Sequence, residues 1–123
     1  MKSELGSWGE SKAAEYLRDQ GYQILERNFR VWEGEIDLIV EKDGAIHFVE
    51  VKTRSSERFG SPEESMHARK RARLLKAGYS YLEQESDENV PFQFDLVAIV
   101  CSTDQRLIRL THYEDVIGMD MLG

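Results

Sequence analysis

Apolar and polar residues alternate most regularly over residues 34–53, Gly-Glu-Ile-Asp-Leu-Ile-Val-Glu-Lys-Asp-Gly-Ala-Ile-His-Phe-Val-Glu-Val-Lys-Thr. Period-two alternation on both sides of Asp43-Gly44 predicts a hairpin with a two-residue turn, because both central positions of such a turn need positive φ and Asx-Gly tolerates that best. The turn places Lys42 opposite Ala45, Ile39 opposite Phe48, Asp37 opposite Glu50 and Glu35 opposite Lys52. Side chains alternate with period two, so these pairs are expected on one face. The other face is expected to hold Ile36, Leu38, Val40, Val49 and Val51, apolar but for His47. A slip of one residue would carry Asp37 among the valines, so the hydrophobic pattern selects this register independently of the turn.

Helical spacing precedes the hairpin. Glu10, Ala13, Ala14 and Leu17 share a face over residues 7–20, and Gly21 stops the run. Residues 22–31 alternate loosely as a strand that joins the hairpin in an antiparallel three-stranded unit, with Arg27, Asn28 and Arg30 expected to face solvent or DNA. Ser61-Pro62-Glu63-Glu64 combines an N-cap serine, proline at the first helical position and glutamate at N3, which starts a second helix running to about residue 85. Its apolar stripe is Met66, Leu74, Ala77, Gly78, Tyr81 and Leu82, and Lys70 falls within that stripe. Residues 91–100 form a strongly apolar strand, so the second helix is a crossover between parallel strands. Residues 107–110 read as an edge strand. The result is an α/β chain of order αβββαββ, a mixed sheet flanked by helices, in one domain over residues 1–123.

Asp37 and Glu50 carry the candidate chemistry. Directly opposed residues have Cβ atoms roughly 4.5–5.5 Å apart, and like charges placed there destabilise a sheet. A shared proton would offset the repulsion, as would Lys52 two residues along the same face, or a divalent cation bound to both carboxylates. Mg²⁺ suits such a pair because it binds through one or two carboxylates and completes its shell with waters and phosphate oxygens. Lys52 would then stabilise charge on the phosphate or help deprotonate an attacking water. Glu10 lies on the apolar side of its helix, where an unpaired carboxylate is costly unless a cation such as Arg27 meets it. Asp95 begins the apolar strand, where a bond to a helix end or loop amide and a site-adjacent role are both open. His67 and His112 have no partner at metal-ligand spacing, which argues against zinc.

Asp37 followed by Glu50-Val51-Lys52 matches the D…(D/E)-x-K signature, and in these residues the chain resembles the restriction-endonuclease-like superfamily. Gly9-Glu10, Gly21-Tyr22, Arg27-Asn28, Gly34-Glu35-Ile36-Asp37, Phe48-Val49-Glu50-Val51-Lys52, Arg54, Lys70 and Phe94-Asp95 follow one another as in the bacterial YraN family of predicted nucleases, which the whole chain resembles. Ile36 stands where the wider superfamily's motif has proline. The resemblance implies a restriction-endonuclease-like fold, a Mg²⁺ or Mn²⁺ site, and kinship with archaeal Holliday-junction resolvases. It also implies that Glu10 approaches the metal with Asp37 and Glu50, giving a catalytic set of Asp37, Glu50, Lys52 and Glu10, with Glu35 and Asp95 as secondary candidates.

Composition and charge refine this picture. At 123 residues and 41% hydrophobic, the chain can bury a core without disulfides. Its single cysteine, Cys101, lies in an apolar run and reads as a packed small residue. Neither a signal peptide nor a membrane span is visible, so a cytoplasmic location is expected. The net charge of -7 is unusual for a nucleic-acid binder, yet residues 52–76 hold eight basic residues against three acidic ones. Within that stretch Arg54, Arg69, Lys70 and Arg73 are the candidate nucleic-acid contacts. Two functions are expected to compete: a Mg²⁺- or Mn²⁺-dependent endonuclease acting on branched or flapped DNA, and a non-catalytic nucleic-acid-binding or assembly module of the same fold. DNA is favoured over RNA as partner, and symmetric resolution of a junction would require a homodimer.

Overall fold

A computed structural model of the chain describes residues 3–55, 68–85 and 89–117, with residues 68 and 69 through their backbone alone. The element order is α1 (Glu4–Asp19), β1 (Gln23–Val31), β2 (Gly34–Lys42), β3 (Ala45–Arg54), α2 (Ala68–Gln84), β4 (Phe92–Cys101) and β5 (Leu107–Tyr113). This is the αβββαββ order expected from the pattern. The Ser61-Pro62-Glu63-Glu64 helix start, Met66, His67 and Arg58 lie outside the described residues. Helix α1 begins earlier than the apolar spacing suggested because Ser3 caps it, its Oγ accepting the Gly6 amide at 3.0 Å.

The five strands form one sheet in the order β1-β2-β3-β4-β5. Only β3 and β4 are parallel; the other neighbours run antiparallel. Asp43 and Gly44 have φ of 52° and 81°, the positive pair a primed turn requires, and the β2–β3 register runs from Lys42↔Ala45 to Leu38↔Val49 as expected. Each face of the sheet is covered by one helix. Ala13, Ala14 and Leu17 of α1 pack on Leu38, Val40, Val49, Val97 and Ile99. Leu74, Ala77 and Tyr81 of α2 pack on Phe29, Ile36, Ile39, Phe48, Phe94 and Leu96.

One expectation about these faces is corrected. Ile36 lies with Ile39 and Phe48 under α2, whereas Leu38 and Val40 lie under α1, so β2 changes parity between residues 36 and 38. The neighbouring strand changes face at the same place: Asn28 adopts φ 54° between Arg27↔Leu38 and Phe29↔Ile36, two pairs in one register, so β1 and β2 switch faces together, while the β1–β2 register itself shifts between Ile24 and Glu26. Asparagine enters the left-handed region more readily than other non-glycine residues. Arg27 thereby points toward α1, where its Nη2 donates to Ser11 Oγ at 3.4 Å, while Phe29 serves the α2 side.

Two glycines seat the helices beside the region where Asp37 and Glu50 stand. Gly9 of α1 lies so close to β3 that a Cβ there would collide with Thr53. Gly34 of β2 lies under the backbone of α2, where a Cβ would come within 2.8 Å of the Arg73 carbonyl carbon. Among the described residues no helix is long and apolar enough to cross a membrane.

Candidate active site

Beyond Leu38↔Val49 the β2–β3 ladder stops, and a side chain takes over the backbone's role. Asp37 Oδ2 accepts the Val51 amide at 2.8 Å. The expected Asp37/Glu50 and Glu35/Lys52 pairs are therefore not ladder pairs, because the parity change at Asp37 turns its carboxylate toward the β3 backbone. Asp37 and Glu50 nevertheless come together, both buried, and hydrogen bonding between them contributes to the titration of Glu50. Glu35 takes Arg30 as its partner in place of Lys52, its Oε2 lying 3.1 Å from Arg30 Nε.

Two ammonium groups flank Glu50. Lys70 Nζ, from the first described turns of α2, is 2.8 Å from Glu50 Oε2, and Lys52 Nζ is 4.0 Å away. Burial, then the charge of Asp37 and a hydrogen bond with it, push the Glu50 carboxyl up to about 7, with Lys70 pulling against them. Burial, followed by hydrogen bonding with Lys70 and its charge, brings Lys52 down to about 8, with Glu50 opposing. Four ionisable groups thus crowd together, and the charges of Asp37 and Lys70 act on the titration of Glu50 and, for Lys70, of Lys52.

These residues line one cavity of about 530 Å³ at the ends of β2 and β3, walled by the start of α1 and the start of α2. Glu10, Glu35, Asp37, Glu50, Lys52, Arg54, Lys70 and Arg73 all contribute to it. Glu10 is buried there, on the helix that Gly9 seats against β3. The side chain of Arg69 lies outside the described residues. Thr53 and Ser3 also line the cavity; nothing in the sequence marks them, since neither stands out from ordinary surface polar residues.

Asp95 does not line that cavity. It is fully buried on the α1 side of the sheet, and its Oδ2 lies 2.7 Å from His47 Nδ1 and 2.8 Å from His112 Nε2. Because a carboxylate only accepts, this geometry assigns a proton to each of those nitrogens. Oδ1 accepts from Gln93 Nε2 at 2.9 Å and from the Asp115 amide at 3.0 Å, the loop-amide role that the sequence left open. Burial would raise the Asp95 carboxyl, but the bonds from His112, His47, the Asp115 amide and Gln93 outweigh it and hold the group well below the usual carboxylate range. Tyr22 stacks edge-on against both imidazoles at 5.0 and 5.9 Å. His112 is therefore not isolated, as its sequence spacing suggested; the β3–β4–β5 pairing assembles a cluster that linear spacing does not reveal. His47, alone among apolar residues on its face, was the available signal.

An α/β sheet protein with acids and lysines converging at the open end of a hairpin is the class these features define. The model of the uncharacterised protein family UPF0102 matches residues 9–99. The chain belongs to that family, the YraN family of the sequence resemblance. It is similar to the UPF0102 protein of Syntrophomonas wolfei, 54% identical over 100 residues that cover 81% of this chain and 87% of the relative. It is also similar to the UPF0102 protein of Symbiobacterium thermophilum, 43% identical over 87% of this chain and 91% of that one. The Clostridium perfringens relative is 38% identical over 90% of this chain and 91% of its own length.

Proposed function

We propose that this protein is a metal-dependent endonuclease hydrolysing phosphodiester bonds of DNA, with branched or flapped DNA as its substrate. The observation that carries this reading is the meeting of buried Asp37 and Glu50 beside Lys52 and Lys70 in one cavity. Asp37, Glu50 and Glu10 offer only carboxylate oxygens, a donor set suited to a hard cation such as Mg²⁺ or Mn²⁺. Burial, and after it the negative charge of Asp37, raise the titration of Glu50, and such a cation would relieve the second of these. When bound, the ion supplies Lewis acidity toward a phosphate oxygen.

The remaining work falls to the chain itself. The Val51 amide orients Asp37, and Lys70 orients Glu50. Lys52, titrating near 8, is cationic enough to stabilise charge on the phosphate and labile enough to exchange a proton with the attacking water near neutral pH. Arg54 and Arg73 line the rim, where they would meet the substrate's phosphates. A cytoplasmic location fits such a substrate and the lone, buried Cys101. Symmetric cutting of a junction would take two copies of the chain.

A second reading has its own observation. The 2.8 Å contact of Lys70 with Glu50 partly neutralises the site without any metal, as a nucleic-acid-binding or assembly module lacking turnover would require. Purified protein assayed with Mn²⁺ on labelled junction, flap, duplex and single-stranded DNA decides between them. Nuclease function requires cleavage of at least one substrate and its loss in Asp37→Asn and Glu50→Gln variants that still fold. No cleavage on any substrate, with binding that still depends on Arg54 and Arg73, establishes the module instead.

A further inference from the structure

Trp32 is 97% exposed, the most exposed of the large hydrophobic side chains among the described residues. An indole left in water forgoes the burial that ordinarily makes tryptophan stabilising, so folding does not account for it. Its position is defined. Val31 pairs with Gly34, which makes Trp32 and Glu33 the two tip residues of the β1–β2 turn. That tip is fastened to α2, because Glu33 Oε2 lies 3.1 Å from Lys76 Nζ and Gly34 packs under the Arg73 backbone. From the tip the chain runs directly into the cavity, whose rim includes Glu35 and Arg73. Three residues of extended chain span at most about 10 Å, so the backbone that carries the indole lies close to that rim.

The cavity lining balances four acids, Glu10, Glu35, Asp37 and Glu50, with four bases. Lys52, Arg54, Lys70 and Arg73 line the side toward β3 and α2 and suit a chain of phosphates. Beside a phosphate track, an exposed indole on a fastened turn is built to stack on a base, and a base is free to stack only when it is unpaired. We infer that Trp32 is a stacking platform for an unpaired nucleobase of a strand whose phosphates lie in the cavity. This rests on the nucleic-acid reading of the cavity and deepens it: the substrate is a strand with an unpaired segment at the β1–β2 turn.

Binding is measured by fluorescence anisotropy with labelled oligothymidylate, oligouridylate and blunt duplex DNA, with Ca²⁺ in place of Mg²⁺ to allow binding before any cleavage. Trp32→Ala is expected to weaken single-strand affinity about tenfold, while Trp32→Phe restores most of it, because stacking needs a ring rather than an indole in particular. Duplex affinity should change less than about twofold, and the melting temperature should stay unchanged because the side chain is exposed. A loss confined to oligothymidylate or to oligouridylate supports the platform and identifies the strand it holds. Unchanged affinity for both single strands overturns the inference. So does an equal loss on duplex, or an effect on self-association in sedimentation in place of affinity. Cleavage assays on the same variants keep the two proposals apart. Cleavage by Trp32→Ala with undiminished substrate preference refutes the platform and leaves the nuclease standing, whereas Trp32-dependent binding without cleavage does the reverse.

Discussion

Lys70 is the nearer counter-ion of Glu50, at 2.8 Å against 4.0 Å for Lys52, although Lys52 shares the strand of Glu50 and Lys70 comes from the crossover helix. The ion pair therefore ties α2 to β3 at the cavity and leaves Lys52 the freer of the two ammonium groups for chemistry. Lys70→Met is expected to destabilise the metal-free protein by about 1–3 kcal/mol above pH 7, where Glu50 is charged, and by much less near pH 5, where it holds a proton. Urea unfolding at the two pH values measures the difference. An equal loss at both would mean that Lys70 acts through its aliphatic stem.

Glu50, raised to about 7, links stability to pH and, under the proposed function, metal affinity as well. Its folded-state value lies above its unfolded one, so its contribution to stability is fully present below about pH 4.5 and is lost as pH rises toward 7, at roughly 1.4 kcal/mol for each pH unit crossed. The metal-free protein should lose melting temperature across that window. Stabilisation by Mn²⁺ should grow over the same window, because the ion must displace the proton. Thermal melts with and without Mn²⁺ at several pH values test both trends, and Glu50→Gln should flatten them.

The close approach of Gly34 to α2 makes it intolerant of any side chain. Gly34→Ala should cost about 1–3 kcal/mol, because the obstruction is the Arg73 backbone and the helix itself must move. Gly9→Ala should cost less, since the Thr53 side chain can turn away. Chemical denaturation of the two variants gives the ordering, and a larger loss for Gly9→Ala would refute it.

Asp95 should behave as a structural residue. Asp95→Asn puts an amide donor among the donors of His47, His112, Gln93 and the Asp115 backbone, and should destabilise by about 2–3 kcal/mol. Because the folded-state carboxyl is held below its unfolded value, its contribution is complete above about pH 4 and fades as pH falls further. Acid titration followed by tyrosine fluorescence or circular dichroism should show the variant losing this part of its acid sensitivity. Substrate binding at the cavity should remain, since Asp95 does not line it.

The hairpin was legible because two independent local signals, the Asp43-Gly44 turn and the period-two pattern, agree on one register. The gathering of Asp37, Glu50, Lys52 and Lys70 was legible because the turn brings the first three to one end of the hairpin and a charge within the apolar stripe of α2 needs a partner. The pattern puts Ile36 on the wrong face because β1 and β2 switch faces together around Asn28, a residue in the left-handed region, and nothing local in β2 signals it. The ladder's end before Asp37 was equally hidden, since a side-chain bond replaces it. The His47–Asp95–His112 cluster joins residues 48 and 17 positions apart through strand pairing, and only the assembled sheet makes them neighbours.

Asn28 also makes the length of β1 matter more than its composition. A chain shortened or lengthened by one residue there could no longer serve both helices from a single continuous strand, and either Phe29 with Ile36 or Arg27 with Leu38 would be stranded in the wrong layer. Insertions in this protein should thus be harmless at the Asp43-Gly44 tip yet ruinous fifteen residues upstream, where the backbone aims the first acid.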